Sequence, residues 1–362
     1  MKQTTGIPKS SASWSANSAG ADLERMISQP GFAVFNKISE KIAFFRDDPI
    51  KFPIVFLIDI MDSKDMKGKG ENQMNVKIIT DSAADLPKEL LDSYDIDVIP
   101  LRVYDTETEE EFLDGVTLEP VTLFRNMREG KVYKTSLPAY ESIHTKLTAY
   151  AEKQIPCLYL AFSSELSGTY QSAVLIKEEV KEAYPEADLD VLDTKCASIG
   201  QGLVVLKAAE MAKNGASKEE IMKHTSFYAK HMEHVFTVAD LQYLVRGGRV
   251  SKVAGFIGGL LNIKPILHVE EGKLIPIEKI RGRKKVLQRM VELMEERGTD
   301  LSNQMIGISH GDDFESANTL KEMITEKFGC QTFVIHSIGA AVGAHAGPGT
   351  LALFFLNKTE VQ

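Results

Sequence analysis

Three short stretches of this chain set hydroxyls, backbone amides and an imidazole beside glycine and proline. "SSELSGTYQSA" (163–173) carries four serines, a threonine, a tyrosine and one glycine. "KTSLP" (134–138) places Thr135 and Ser136 just before Pro138, and "GAHAGPG" (343–349) places His345 among glycines. Hydroxyls add donors without adding charge. Helix N-termini offer free N–H groups and a positive dipole end. Brought together, such groups could hold one anion such as a carboxylate. Each stretch also has a plain structural use: serine and threonine before a helix are common N-caps, and glycine-rich turns are often only turns. Ser167 as a hydrolase nucleophile has little support, because the G-x-S-x-G elbow is missing and no acid partner for a histidine is recognisable.

Regular elements must position these stretches. "VKIIT" (76–80), "IDVIPLRVY" (96–104), "CLYLAF" (157–162) and "DLDVLDT" (188–194) read as strands. Helical periods follow from Lys88, from Pro120, from Pro138 through Gln154, from Tyr170, and across 200–213 and 217–231. Apolar strands alternating with helices predict an α/β fold with a mainly parallel sheet covered on both faces. In that arrangement ligands sit beyond the carboxyl ends of the strands. Past about Val235 the text changes. A hairpin over Ile263–Ile280 turns at "EEGK". Helix 284–297, strand "MIGISH", helix 314–327, strand "TFVIHS" and a last strand "TLALFFL" follow, which predicts an α+β unit with a mixed or antiparallel sheet. The predicted domains are 74–234 and 235–362.

Bulk properties narrow the function. The 362 residues are 43% hydrophobic and 26% charged, with a formal net charge of −9. Nonspecific grip on nucleic acid is not expected from such a balance, and membrane contact would be transient at most. Cys157, Cys196 and Cys330 are far apart and form no C-x-x-C, which predicts buried thiols in a reduced cytoplasm. The apolar run Phe52–Met61 is about half the roughly 20 residues that cross a bilayer. No P-loop, no G-x-G-x-x-G after the first strand and no H-E-x-x-H is present, so neither cofactor nor metal is expected.

The first 73 residues differ from the rest. They open Ser/Thr/Gly-rich and end in the linker-like "DSKDMKGKGENQ". "KGKGENQM" can be encoded by a purine-rich tract ending in a start codon, as a translated ribosome-binding site would be. Met74 is therefore a candidate natural start, and a genuine, weakly ordered extension is the competing reading.

Taken in order, "ITDSAADLP", "TSLP", "SSELSGTYQSA", "VLDT", "LQYLVRGGRVS", "IKPIL", "GRKK" and "AHAGPG" resemble the DegV family of bacterial fatty-acid-binding proteins, from about Val76 to Leu356. The resemblance implies a two-domain protein that buries one long-chain fatty acid. Members of the FakB type present that acid to a separate ATP-dependent fatty acid kinase, which makes an acyl-phosphate for phospholipid synthesis. By motif position, Thr135, Ser167 and His345 would contact or organise the carboxylate, with Gly168 and Thr169 supplying donors beside it. Arg246 and Arg249 would lie outside the pocket, where the kinase docks. Leu137 stands where the family commonly has Gln, and Ala346 where Thr is common. An acyl chain of about 16 carbons, at ~0.8 kcal/mol per buried CH2, supplies a large gross driving force, reduced by ordering losses. "VAGFIGGLLNI" (253–263) could wall the channel. An acyl hydrolase or phosphotransferase using Ser167 and His345 is the competing function.

Overall fold

The computed structural model describes residues 76–250 and 263–360. Residues 1–73, the candidate start at Met74 and nearly all of "VAGFIGGLLNI" lie outside the described residues.

The chain opens with β1 (Lys77–Asp81), α1 (Lys88–Ser93), β2 (Asp97–Ile99), β3 (Arg102–Asp105) and β4 (Glu111–Leu113). It continues with α2 (Pro120–Arg128), β5 (Tyr133–Ser136), α3 (Tyr140–Glu152), β6 (Cys157–Ala161), α4 (Thr169–Ala183) and β7 (Leu189–Asp193). Next come α5 (Ile199–Lys213), α6 (Lys218–His231), β8 (Met232–Thr237), α7 (Gln242–Gly247), β9 (Ile263–Glu270) and β10 (Lys273–Arg281). The last elements are α8 (Arg283–Arg297), β11 (Met305–His310), α9 (Phe314–Phe328), β12 (Thr332–Ser337), α10 (Ala340–Ala346) and β13 (Leu351–Leu356).

A four-stranded parallel sheet runs β2-β1-β6-β7. All five residues of β6 are buried, the pattern of a strand covered on both faces. A six-stranded mixed sheet runs β10-β9-β8-β13-β11-β12, antiparallel except for the β11–β12 pair. The fold is α/β, with an N-terminal parallel sheet flanked by helices and a C-terminal mixed sheet. The boundary expected at 234/235 falls inside β8. Between the two sheets lies α5, which packs on β1 as well as on β8, β11 and β13. It is buried almost all round because it has a sheet on either side. Ile78, Leu158 and Leu160 from the first sheet share one hydrophobic cluster with Phe236, Leu267 and Phe354 from the second.

One predicted strand divides. "IDVIPLRVY" becomes β2 in the parallel sheet and β3 in a separate three-stranded antiparallel sheet, β4-β3-β5. Pro100, which has no N–H for a ladder, sits at the break. The split matters for the site, because the third sheet carries Thr135 opposite Val103.

Candidate functional site

A cavity of about 220 Å³ opens where the three sheets approach one another. Leu101, Phe162, Phe236, Leu244 and Phe354 give it a mostly apolar wall, and Thr135, Ser167, Gly168, Arg249 and His345 also line it.

His345 is the focus of this polar set. The sequence suggests a glycine-rich turn there, but the structure places His345 in the last turn of the short helix α10. Its Nε2 lies 2.6 Å from Thr135 Oγ1, across 210 residues of chain. The other ring nitrogen faces Gly247: a Cβ on that glycine would sit 2.2 Å from His345 Nδ1. Only glycine fits beside the imidazole. The next residue, Gly248, ends α7 in the left-handed region at φ 68° and turns the chain back toward the cavity.

That turn corrects the expectation for Arg249, which lines the cavity instead of lying outside it. Its Nε donates to Leu166 O at 3.2 Å and a terminal nitrogen to Gly247 O at 2.6 Å. Arg246 is exposed, with its guanidinium 5.6 Å from the centre of the Tyr243 ring. Burial, and then the Arg249 charge, push the His345 pKa down to about 4. A histidine lowered in this way contributes stability that is present above its ordinary pKa and lost as pH falls through 4. In the ligand-free protein the ring is therefore expected to stay neutral down to about pH 4. A histidine NMR titration with a midpoint near 6.5 would contradict this.

Ser167 and Gly168 sit in the turn between β6 and α4, where first-turn N–H groups have no carbonyl partner within the helix. Ser167 Oγ accepts the Thr169 N–H at 3.3 Å and pairs with Thr169 Oγ1 at 2.8 Å. Thr169 itself is fully buried and not part of the lining, so it orients Ser167 and does not face the cavity. His345 is bonded to Thr135 and Ser167 to Thr169, so the nucleophile–base contact of an acyl hydrolase is not formed. Leu137 and Ala346, the two departures from the family pattern, both line the cavity.

Sequence reasoning missed the carboxylates behind α10. Asp85 accepts the Gly339 N–H at 2.9 Å, and Asp114 accepts the Ala340 N–H at 2.6 Å and the Ser82 hydroxyl at 2.8 Å. Both are buried. Together they satisfy the first free donors of the helix that holds His345 at its other end. Asp81, also buried, accepts the Phe162 N–H at 2.8 Å. Burial raises all three carboxyls: Asp81 and Asp114 to about 6, Asp85 well above its ordinary range. For Asp81 and Asp85 the available signal was an acid at each end of "DSAAD", directly after an apolar strand; Asp114, in "EFLDGV", had none.

A carboxyl with a raised folded-state pKa contributes stability that is full below the unfolded value and lost as pH rises through the folded one. For Asp114 the window runs from 3.8 to about 6. Between pH 4.5 and 7.5, wild type is expected to lose about 2 kcal/mol relative to Asp114→Asn, which has no proton to release. Urea unfolding of both proteins at pH 4.5 and 7.5 checks the difference, and parallel pH curves would refute it.

Among the described residues no group of His, Cys, Asp and Glu could hold a metal ion, and no helix is long and apolar enough to cross a membrane.

Fold and cavity define the class: an α/β protein of two large sheets enclosing a mostly apolar cavity with hydroxyls and an imidazole in its wall. The chain belongs to the DegV family, a family described as uncharacterised, whose model matches residues 75–358. It is 42% identical over 286 residues to a DegV domain-containing protein of Clostridium perfringens, covering 78% of this chain and 98% of that one. The crystal structure of a DegV lipid-binding protein from Thermotoga maritima is similar at a TM-score of 0.70 and 35% identity, covering 78% and 98% of the two chains. A stearic acid-binding protein from Eubacterium ventriosum is similar at a TM-score of 0.69 and 29% identity, covering 78% and 99%.

Proposed function

We propose that this chain binds one long-chain fatty acid in the cavity and presents its carboxylate to a separate fatty acid kinase in the cytoplasm, for acyl-phosphate formation and phospholipid synthesis. The observation that carries this reading is the Thr135–His345 pair, with Ser167 and Gly168, in the wall of a mostly apolar cavity. A buried carboxylate without partners is costly, whereas hydroxyl and amide donors can hold it, with the Arg249 charge in the same wall. A neutral His345 suits this role, since it can share a proton with an arriving carboxylate, whose charge would raise the ring's pKa. The lipid- and stearic acid-binding relatives support the choice of ligand. For the kinase we propose Arg246 as a docking contact, because an exposed arginine suits recognition of phosphate or carboxylate. Arg249 would link that surface to the cavity. We also take the protein as two domains, with the boundary expected at 234/235 moved to 231/232 so that β8 stays whole in the C-terminal sheet.

Native mass spectrometry of the purified protein, with analysis of its organic extract, tests the ligand. One fatty acid per chain is expected. A protein that arrives empty and takes up neither added oleate nor added palmitate would overturn the proposal. Acyl-phosphate formation by a cognate kinase, lost in Arg246→Ala, tests presentation.

A further inference from the structure

The carboxylate site leaves one cavity-lining polar feature unused. Ser198 and Ser309 both line the cavity, both are buried, and their hydroxyl oxygens lie 2.9 Å apart. Ser198 precedes α5 as its N-cap, yet its side chain makes no capping hydrogen bond. The hydroxyl is bonded instead to Asp85 and Ser309. Its backbone sits at φ 53°, ψ −145°, a region close to one that only glycine occupies without strain. A serine held in that conformation and diverted from its helix needs another explanation.

The bonding capacities say what the pair can do. A hydroxyl has one donor and two acceptor positions. Ser198 spends its share on Asp85 and Ser309, while Ser309 has Ser198 as its side-chain partner. If Asp85 is ionised, Ser198 donates to it, Ser309 donates to Ser198, and Ser309 presents acceptors to the cavity. If Asp85 is protonated, the chain reverses and Ser309 presents its donor. A ligand hydroxyl, being both donor and acceptor, fits either state. Nearby polar groups are already occupied. His234 Nε2 accepts the Ala197 N–H at 3.1 Å while Nδ1 donates to Met232 O at 3.0 Å, and Thr350 donates within its own turn. Across the sheet from Ser309 stands Ala352, also in the lining, which leaves room beside the hydroxyl.

Position follows from α10. Asp85 touches both Ser198 and Gly339, the N-cap of that helix. His345 lies six residues further on, or about 9 Å along the axis. The serine pair therefore stands well down an acyl chain whose carboxylate is at His345.

The geometry points to Ser198 and Ser309 as a second polar contact that accepts long-chain fatty acids bearing a hydroxyl in mid-chain. This rests on the fatty-acid reading above and narrows its substrate class. The test compares 10-hydroxystearate with stearate, each titrated into the delipidated full-length chain, for wild type and Ser309→Ala. Burying a hydroxyl without a partner weakens binding by about tenfold or more. Wild type is therefore expected to bind the hydroxy acid within tenfold of stearate, and Ser309→Ala to raise the ratio of the two dissociation constants about tenfold. A wild-type ratio above ten, or a ratio that the substitution leaves within twofold, overturns the inference while the fatty-acid reading stands. If neither acid binds to wild type, the fatty-acid reading itself has failed.

Discussion

Alanine at both Thr135 and Ser167 is expected to weaken binding of a long-chain fatty acid by at least about a hundredfold. Hydrogen bonds to a charged group contribute about 1.5–3 kcal/mol each, so losing two removes about 3–6 kcal/mol. The effects should not add simply, because Thr135 also fixes the imidazole at 2.6 Å and its removal frees His345 as well. Thr135→Ser, which keeps the hydroxyl, should retain most of the affinity. The apolar contribution of about 0.8 kcal/mol per CH2 is untouched, so the ranking of chain lengths should survive in the double variant. Both side chains are only partly buried, and the fold should persist. Displacement of a fluorescent fatty acid, read alongside thermal unfolding, checks this. Unchanged affinity in a folded double variant would remove the polar set as the carboxylate site.

Gly247→Ala should weaken binding and stability together, although residue 247 offers the ligand no side chain. The added Cβ would fall 2.2 Å from His345 Nδ1, 3.1 Å from Cε1 and 3.2 Å from Cγ. An aromatic ring held on its other edge by Thr135 cannot yield by that much without losing the hydrogen bond. Overpacking of this kind typically costs about 1–3 kcal/mol of stability. Loss of the imidazole's position should cost a further tenfold or more in fatty-acid affinity, at about 1.5 kcal/mol or above for a hydrogen bond to a charged group. The neighbouring Gly248→Ala is the informative contrast. Gly248 has φ 68°, but its Cβ would meet nothing within 4 Å. It should destabilise by about 1 kcal/mol through backbone strain alone and leave ligand affinity close to wild type. Equal losses of affinity in the two variants would mean that the loop as a whole, and not the contact with His345, matters.

Most of the elements were legible in the sequence, for local reasons. β6 and β13 are continuous apolar runs and are buried throughout. The hairpin β9–β10 turns where "EEGK" requires it, with Gly272 at φ 81°. The helix at 218–231 begins at a complete capping box of Ser217 and Glu220. The stretches that bring hydroxyls and an imidazole together could also be picked out, because their residue types are unusual at strand and helix ends.

Tertiary structure decided the rest. Pro100 permits a break, but only the presence of two different sheets assigns Asp97–Ile99 to one and Arg102–Asp105 to the other. Arg249 turns inward because Leu166 and Gly247 offer carbonyls there. Most of all, "AAVGAHA" is too short to hold as an isolated helix, and its internal glycine weakens it further. Gly343 is needed because Phe124 packs where a side chain would stand, with Cζ 2.8 Å from the Cβ position. The helix forms because Asp85 and Asp114, more than 200 residues earlier, meet its first N–H groups. Local sequence supplied a histidine among small residues. Distant carboxylates and a packed aromatic ring made those residues a helix and pointed the histidine at Thr135.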